Sequence, residues 1–509
     1  MSFISIALAW SKRIVALLVF LVVYTAGGAQ IEQSAKFEIP LIGAGESKFS
    51  TAGLGEKGLM LYRLLAGRKT DYVELIKVDT ALLEKWKGRI ECNKGYTIAR
   101  SRHYKESFFI LLRNQIPTRS DFKIISLQLA NGSYIQYDIK NLISFNPVEL
   151  IINDQAALIA GYFGDRPVIL YFSFNLQRTK VLPGFFNDPG ELNQLKTNED
   201  GSIDVVTRAR NIEKKRTIWV RNYNASGDLL RTTQFQPEAE KNLLSGKSVQ
   251  LGSGEQIVAG VYGKLPDYAQ GVFIARILTD GTYTINYHNF TDFQHSFNYM
   301  KVRKRERVIT RVERKKLKGR KMKFNHRYLL HDLIPYQENY ILTGEAFYPN
   351  YIFPGGGYLY YRQSAPTGYY FPSRLRNDLI FDGYQYTHAI VMGFDSKGIV
   401  HWDNSFAIND SKIMQLEQLV KVKPQPNRIE FLYRHKKTIR AKIMSNDEIL
   451  EVEIPDSQYD DNSRGNRNIE SLQLEHWYGD YFYTAGVQKL WYQSGTEPSV
   501  FFVRKITCK

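Results

Sequence analysis

The chain has 509 residues, 43% of them apolar and 13% aromatic, with a formal charge of +17 at pH 7. That length exceeds the roughly 250–300 residues that one hydrophobic core sustains, so several domains or a repeat architecture is required. Two cysteines, Cys92 and Cys508, exclude a fold that depends on a disulfide framework.

The first element is a targeting segment. Lys12 and Arg13 precede an apolar run of 11 residues, Ile14 to Tyr24. The run is too short to span a bilayer and suits the core of a signal peptide. Gly27 and Ala29 fit the small positions before a cleavage site, so cleavage is expected after Ala29. Residues 1–29 are then the signal peptide and 30–509 one mature domain, exported to the periplasm or the outer cell surface. The competing reading is an uncleaved anchor, since Phe3 to Trp10 is also apolar. No cysteine marks a lipoprotein. No second long apolar run follows, so the mature chain is expected to be soluble or peripheral. Without Lys12 and Arg13 its formal charge is +15.

From there the chain reads as short runs of β-branched and aromatic residues separated by polar turns, among them Phe108–Leu112, Val168–Phe172, Thr217–Val220 and Val272–Ala275. One hairpin recurs. Its turns carry Asp79, Asn131, Asn175, Ser226, Asp280, Ser396 and Asn446, spaced 52, 44, 51, 54, 116 and 50 residues apart. Asp, Asn and Gly belong in such turns because they tolerate positive φ or bond their own backbone. A four-stranded unit repeating every 40–50 residues is a propeller blade. Counting units predicts an all-β, eight-bladed β-propeller; seven blades is the alternative, because the first strand of the first unit, near Ser47–Ala52, is weak. Two stacked β domains would need a linker, and none is visible. The last unit lacks its fourth strand. Lys36–Pro40 is expected to supply it by pairing near Phe501–Val503, which closes the ring and removes an open edge.

Two insertions occupy the long interval. Residues 301–327 hold 14 Lys or Arg against two acids, a net +12 out of the mature +15. The stripe Phe297, Met300, Val308, Val312 favours a helix, and a solvated charge run is the alternative. The basic candidates for binding are Arg303, Lys304, Arg305, Arg307, Arg311, Arg314, Lys315, Lys316, Lys318, Arg320 and Lys321. Residues 346–386 hold 13 aromatics in 41 positions, with Gly355–Gly357, Pro349, Pro354 and Pro366 opposing regular helix. Tyr360, Tyr361, Tyr369 and Tyr370 are candidates for a stacking surface; a loop folded on its own small core is the alternative. The first insertion joins two blades and the second joins strands B and C of blade 6. Both therefore emerge on one propeller face. The same topology puts Cys92 and Cys508 on opposite faces, so no bond between them is expected.

No nucleophile elbow, phosphate-binding glycine loop, HExxH or paired Cys-x-x-Cys occurs. The best titratable set is His331, Asp332, Glu345, His388, Glu475 and His476. It would form a site only by converging near the axis. His388, inside the apolar run Thr387–Val391, reads better as a hydrogen-bonded structural histidine. Asp403 in His401-Trp402-Asp403-Asn404 resembles the structural Trp-Asp of propeller blades.

Gly344-Glu345-Ala346-Phe347-Tyr348-Pro349, Phe381-Asp382-Gly383-Tyr384-Gln385-Tyr386-Thr387-His388-Ala389, Gly393-Phe394-Asp395 and Trp402-Asp403-Asn404-Ser405-Phe406 together resemble a group of uncharacterised exported β-propeller proteins of Bacteroidota. A basic insertion before this stretch is similar too. The resemblance covers blade 6 and reaches the rest only through the blade pattern. It implies an envelope protein and carries no catalytic residues. In that phylum Asp79-Thr80-Ala81 also resembles an O-glycosylation acceptor, at Thr80. The expected function is non-catalytic binding or scaffolding in the cell envelope, without metal or cofactor. The partner would be an anionic envelope component, a glycan or an acidic protein, with peripheral membrane contact and no nucleic acid. The alternative is a polysaccharide hydrolase or lyase with a site near His331, Glu345, His388 and His476.

Overall fold

Strands dominate because β-branched and aromatic runs alternate with turn residues throughout. The computed structural model describes residues 31–41, 47–116, 121–140, 143–185, 189–252, 254–320, 322–352, 380–408, 412–435, 438–445, 448–452, 467–490 and 499–508. They form eight antiparallel sheets, seven of four strands and one of six. Each sheet is one blade of a β-propeller, with strands A to D in chain order except in the last. The alternative of seven blades falls, because Ser50–Gly53 is a true A strand that pairs with Leu59–Tyr62.

The ring closes as the missing strand required. Strand D of blade 8 is Ile31–Leu41, which pairs with strand C, Ser499–Cys508. Phe37 faces Val503 and Ile39 faces Phe501 in that register. Phe37, Ile39 and Leu41 pack onto the core shared by blades 8 and 1, beside Leu59, Leu61, Trp477 and Phe501. Other apolar clusters fill the spaces between neighbouring blades, such as Met60 and Val73 against Phe108 and Ile110.

The C-to-D turns follow one chemistry. Asp79, Asn131, Asp280 and Asp395 each accept the backbone N–H two residues on, at 2.9, 3.0, 2.9 and 2.9 Å. A residue of positive φ completes the turn at Leu82, Gly132, Gly227, Gly281 and Gly398. Thr80 lies in the first of these turns and is half-buried. Its backbone carbonyl accepts Lys505 Nζ at 3.1 Å.

A second regularity lies in the innermost strands. The A strands of blades 2 (Tyr96–Tyr104), 3 (Asn146–Ile152), 4 (Gly190–Thr197), 5 (Asn242–Gln250) and 8 (Arg467–Tyr478) each carry a bulge. The residue skipped is Ala99, Val148, Asn193, Leu244 and Glu470 in turn. A bulge kinks its strand and re-aims the next side chain.

Cys92 ends strand D of blade 1, buried and free. Burial, together with Asp71, pushes its thiol up to about 11.

Candidate functional site

The basic insertion is a helix, α1, Val302–Leu317. Lys, Arg and Glu are good helix formers, and neither Gly nor Pro interrupts them before Gly319. Gly319 ends the helix at φ 62°, with Gly319 N–H donating to Lys316 O at 2.9 Å and Arg320 N–H to Lys315 O at 2.8 Å. That is a Schellman end. Arg314, Lys315 and Lys316 in the last turn favour the helix dipole. The first turn does the opposite: Arg303, Lys304 and Arg305 stand there with no acid and no side-chain cap. Cations at the positive end of a helix oppose its stability. Such a broken local rule points to a role outside folding.

The helix docks through a narrow stripe. Val312 is buried, and Val308, Arg305 and Lys315 are half-buried. Arg305 donates to Asn298 Oδ1 at 2.9 Å, and Lys316 to Thr291 O and Asp292 Oδ1, both at 2.9 Å. Arg303, Lys304, Arg307, Arg311, Arg314, Lys318 and Arg320 stay exposed. Beside this basic face lie Val302, Ile309 and Leu317, exposed by 60%, 39% and 89%. The helix is thus amphipathic toward solvent as well as toward the propeller. Lys321 lies outside the described residues.

The segment leading into α1 is fastened to the outer strand of blade 6, Val400–Ala407. Asp403 accepts the backbone N–H of Gln294 at 3.1 Å and of His295 at 2.9 Å. Ser405 Oγ donates to His295 O at 2.8 Å. Asp403 is therefore an anchor for the insertion, which makes its role structural, as its Trp-Asp setting suggested. Phe290, Phe297, Phe324 and Tyr328 interlock below, with ring centroids 5.4–6.0 Å apart.

The aromatic insertion begins later than its sequence implied. Strands B (Asn339–Ile352) and C (Ile380–Phe394) of blade 6 pair beyond Ala346, with Phe347 facing Tyr386 and Tyr351 facing Phe381. Residues 346–352 and 380–386 are thus a strand extension, not loop. Alternation of large rings on a pleat accounts for it, since each ring has a cross-strand partner. Phe347, Tyr351 and Tyr386 are buried, and Phe381 packs against Tyr351 and Tyr384 at 5.8 and 4.9 Å. These described aromatics form a small core. Tyr360, Tyr361, Tyr369 and Tyr370 lie outside the described residues.

The titratable set does not converge. Glu345 is fully buried and accepts three hydrogen bonds: His331 Nε2 at 2.7 Å, Val420 N–H at 2.9 Å and Leu419 N–H at 3.1 Å. It faces Ala389, in the core shared with blade 7. His388 instead faces Ala346, in the core shared with blade 5. The two side chains lie on opposite faces of one sheet. His388 bonds Tyr328 Oη and Thr387 Oγ1, each at 2.9 Å. Burial, with His326 beside it, drives its pKa well down. His476 is exposed on blade 8 and bonds Gly479 O at 3.1 Å. Glu475 is ion-paired with Lys421 at 2.8 Å. Asp332 alone turns to the axis. Among the described residues, no group of three His, Cys, Asp or Glu could hold a metal ion, and no helix is long and apolar enough to cross a membrane.

No protein-family model matches the chain, and no curated protein matches it. Solved structures similar to it include the β-propeller domain of the Trilobed protease from Pyrococcus furiosus, at 12% identity and TM-score 0.35, covering 80% of this chain and 98% of that one. The polysaccharide lyase Uly1 matches at 9% identity and TM-score 0.39, covering 80% and 89%. A eukaryotic initiation factor matches at 10% and 0.39, covering 95% and 98%. Likeness this distant says nothing of activity. The eight-bladed propeller rests on the strand order of the chain's own sheets.

Proposed function

We propose that the protein is a non-catalytic binding propeller of the cell envelope, and that α1 is its contact with an anionic partner. One observation carries this reading: a basic, outward-facing helix adjoins an exposed apolar stripe, and its first turn is charged against its own dipole. A basic face beside an apolar one suits an anionic, partly apolar surface such as lipid headgroups or acidic saccharide. The split of the titratable set into a buried His331–Glu345 pair, a separately buried His388 and an exposed His476 disfavours the hydrolase or lyase alternative. The test is capture from envelope extracts by the full chain and by a variant lacking residues 303–320, at rising salt. Capture should vanish in the variant and fade with salt, because attraction to exposed charge is screened within about 8 Å at physiological ionic strength. Equal capture by both proteins at every salt concentration would refute the reading.

A further inference from the structure

The recurrent bulge marks one position in the innermost strands of blades 2, 3, 4, 5 and 8. The residue after it is Arg100 in blade 2, Glu149 in blade 3 and Gln194 in blade 4. Arg100 turns to the backbone of blade 3, at Val148 O, while Gln194 meets a side chain from blade 6. Gln194 Nε2 donates to Asp332 Oδ1 at 3.1 Å, although blade 5 lies between their blades. Lys247 of blade 5 reaches the same oxygen at 3.0 Å. Lys196 of blade 4 donates to Ser248 O at 3.0 Å. Asp332 sits where the A strand of blade 6 breaks, between Arg327–Leu330 and Ile334–Tyr336.

Glu149 is the odd member. No hydrogen bond or ion pair to it occurs among the described residues, yet it is only partly accessible. The charged groups that face it are Lys247, Asp332, Arg102 and Arg100. Enclosure pushes its carboxyl up to about 7, with Lys247 opposing and Asp332 assisting. Desolvation by its surroundings raises Asp332, but Lys247, Gln194 and Lys196 outweigh that and hold it below its usual range. Its side chain is 68% exposed, so open volume adjoins it. Four cations, Arg100, Arg102, Lys196 and Lys247, thus surround two carboxyls. The cation at 3.0 Å from Asp332 Oδ1 disfavours a metal ion there. The positive excess favours an anion, and the carboxyl acceptors favour hydroxyls beside it.

We propose that this axial cluster is a second ligand site, which takes a small hydroxylated acid such as an acidic monosaccharide unit. Lys247 and Lys196 hold the anionic group, Asp332 takes hydroxyls, and Glu149, when protonated, donates to the ligand. The site is separate from α1: it lies among innermost strands, whereas the segment leading into α1 is fastened to the outer strand of blade 6.

Isothermal titration with D-glucuronate as probe tests it, using D-glucose as the uncharged control and the variant lacking residues 303–320 throughout. Saturable binding of D-glucuronate, undiminished by loss of the helix and absent for D-glucose, is expected. Lys247→Met should weaken it by about tenfold or more, as expected for losing a charge-assisted hydrogen bond. Affinity should fall between about pH 6 and about pH 8 as Glu149 ionises, and Glu149→Gln should flatten that profile. Binding lost with the helix, equal binding of D-glucose, or full affinity in Lys247→Met would each overturn the assignment. So would the absence of any binding. Failure here leaves capture through α1 untouched, since the helix variant separates the two sites.

Discussion

The ring of His388 lies flat on that of Tyr299, with centroids 3.7 Å apart and planes 4° from parallel. The histidine belongs to blade 6 and the tyrosine to the segment that leads into α1, so this contact seats the insertion on the propeller. His326 packs beside the pair, its ring near-perpendicular to that of His388 with centroids 4.9 Å apart. Burial favours the neutral form of both imidazoles.

Acid should therefore loosen this region first. Burial, aided by Lys304, lowers His326 from its ordinary value to about 4, and His388 is also lowered. Both are depressed in the folded state, so the unfolded chain binds more protons below about pH 6.5. Stability is full above that pH and falls as pH drops toward 4. His326 alone should cost about 2 kcal/mol at pH 5. Thermal unfolding of the native chain and of His326→Gln, followed from pH 7 to 5, measures it. Parallel profiles for the two proteins would show that His326 is not held neutral.

Ring closure makes a second expectation. Removing residues 31–41 strips blade 8 of its outer strand and bares the backbone edge of Ser499–Cys508. It also uncovers Val503 and Phe501, which are buried against Phe37 and Ile39. The truncated protein should self-associate and lose several kcal/mol of stability, since an open apolar edge is a template for pairing. Light scattering and denaturant unfolding would read both effects. A monomer of unchanged stability would mean that the closure is dispensable.

The blade repeat was legible because turn chemistry is local. Asp79, Asn131 and Asp280 announce their turns through side chains that bond their own backbone two residues on, at 2.9–3.0 Å. The basic helix was legible from composition and from Val308 and Val312. The extent of strands B and C in blade 6 was not. Gly and Pro in the insertion masked a hairpin whose order comes from cross-strand ring contacts, such as Phe347 with Tyr384 at 5.6 Å. The axial cluster was the least visible. Glu149, Gln194 and Lys247 stand in unrelated local sequences; the first two directly follow a bulge, and Lys247 stands two residues beyond that position in its own strand. Asp332 was noticed, but for its neighbours His331 and Glu345, which turn elsewhere.

Glu345 illustrates a carboxylate whose role is cohesion. It joins blade 6 to the first residues of blade 7 through Leu419 and Val420, and it holds His331. Glu345→Ala would leave two buried N–H groups and an imidazole without acceptors. A loss of about 3–5 kcal/mol is expected, as for breaking a buried charged network. Glu345→Gln, which keeps one of the two accepting oxygens, should lose less. Denaturant midpoints of the two variants decide it, and equal losses would mean that charge, not acceptor count, holds the junction.

Glu149 should behave in the opposite sense, because it is enclosed without a hydrogen-bond partner among the described residues. Its folded pKa is raised from 4.5 to about 7 by burial. A raised carboxyl stabilises the fold fully below the unfolded value, near pH 4.5, and that contribution disappears as pH rises through 7. At pH 8 the enclosed carboxylate thus costs about 3 kcal/mol relative to acid conditions. Glu149→Gln removes the charge and should raise stability by up to that amount at pH 8, with little change near pH 4.5. A binding group that strains its own fold commonly gives this pattern, in which its removal stabilises the protein and weakens ligand retention. Unfolding free energies of the variant and the native chain at the two pH values test the claim. If Glu149→Gln destabilised the protein at pH 8, the carboxylate would be a structural partner of Lys247 or Arg102, and its place in the axial site would fall.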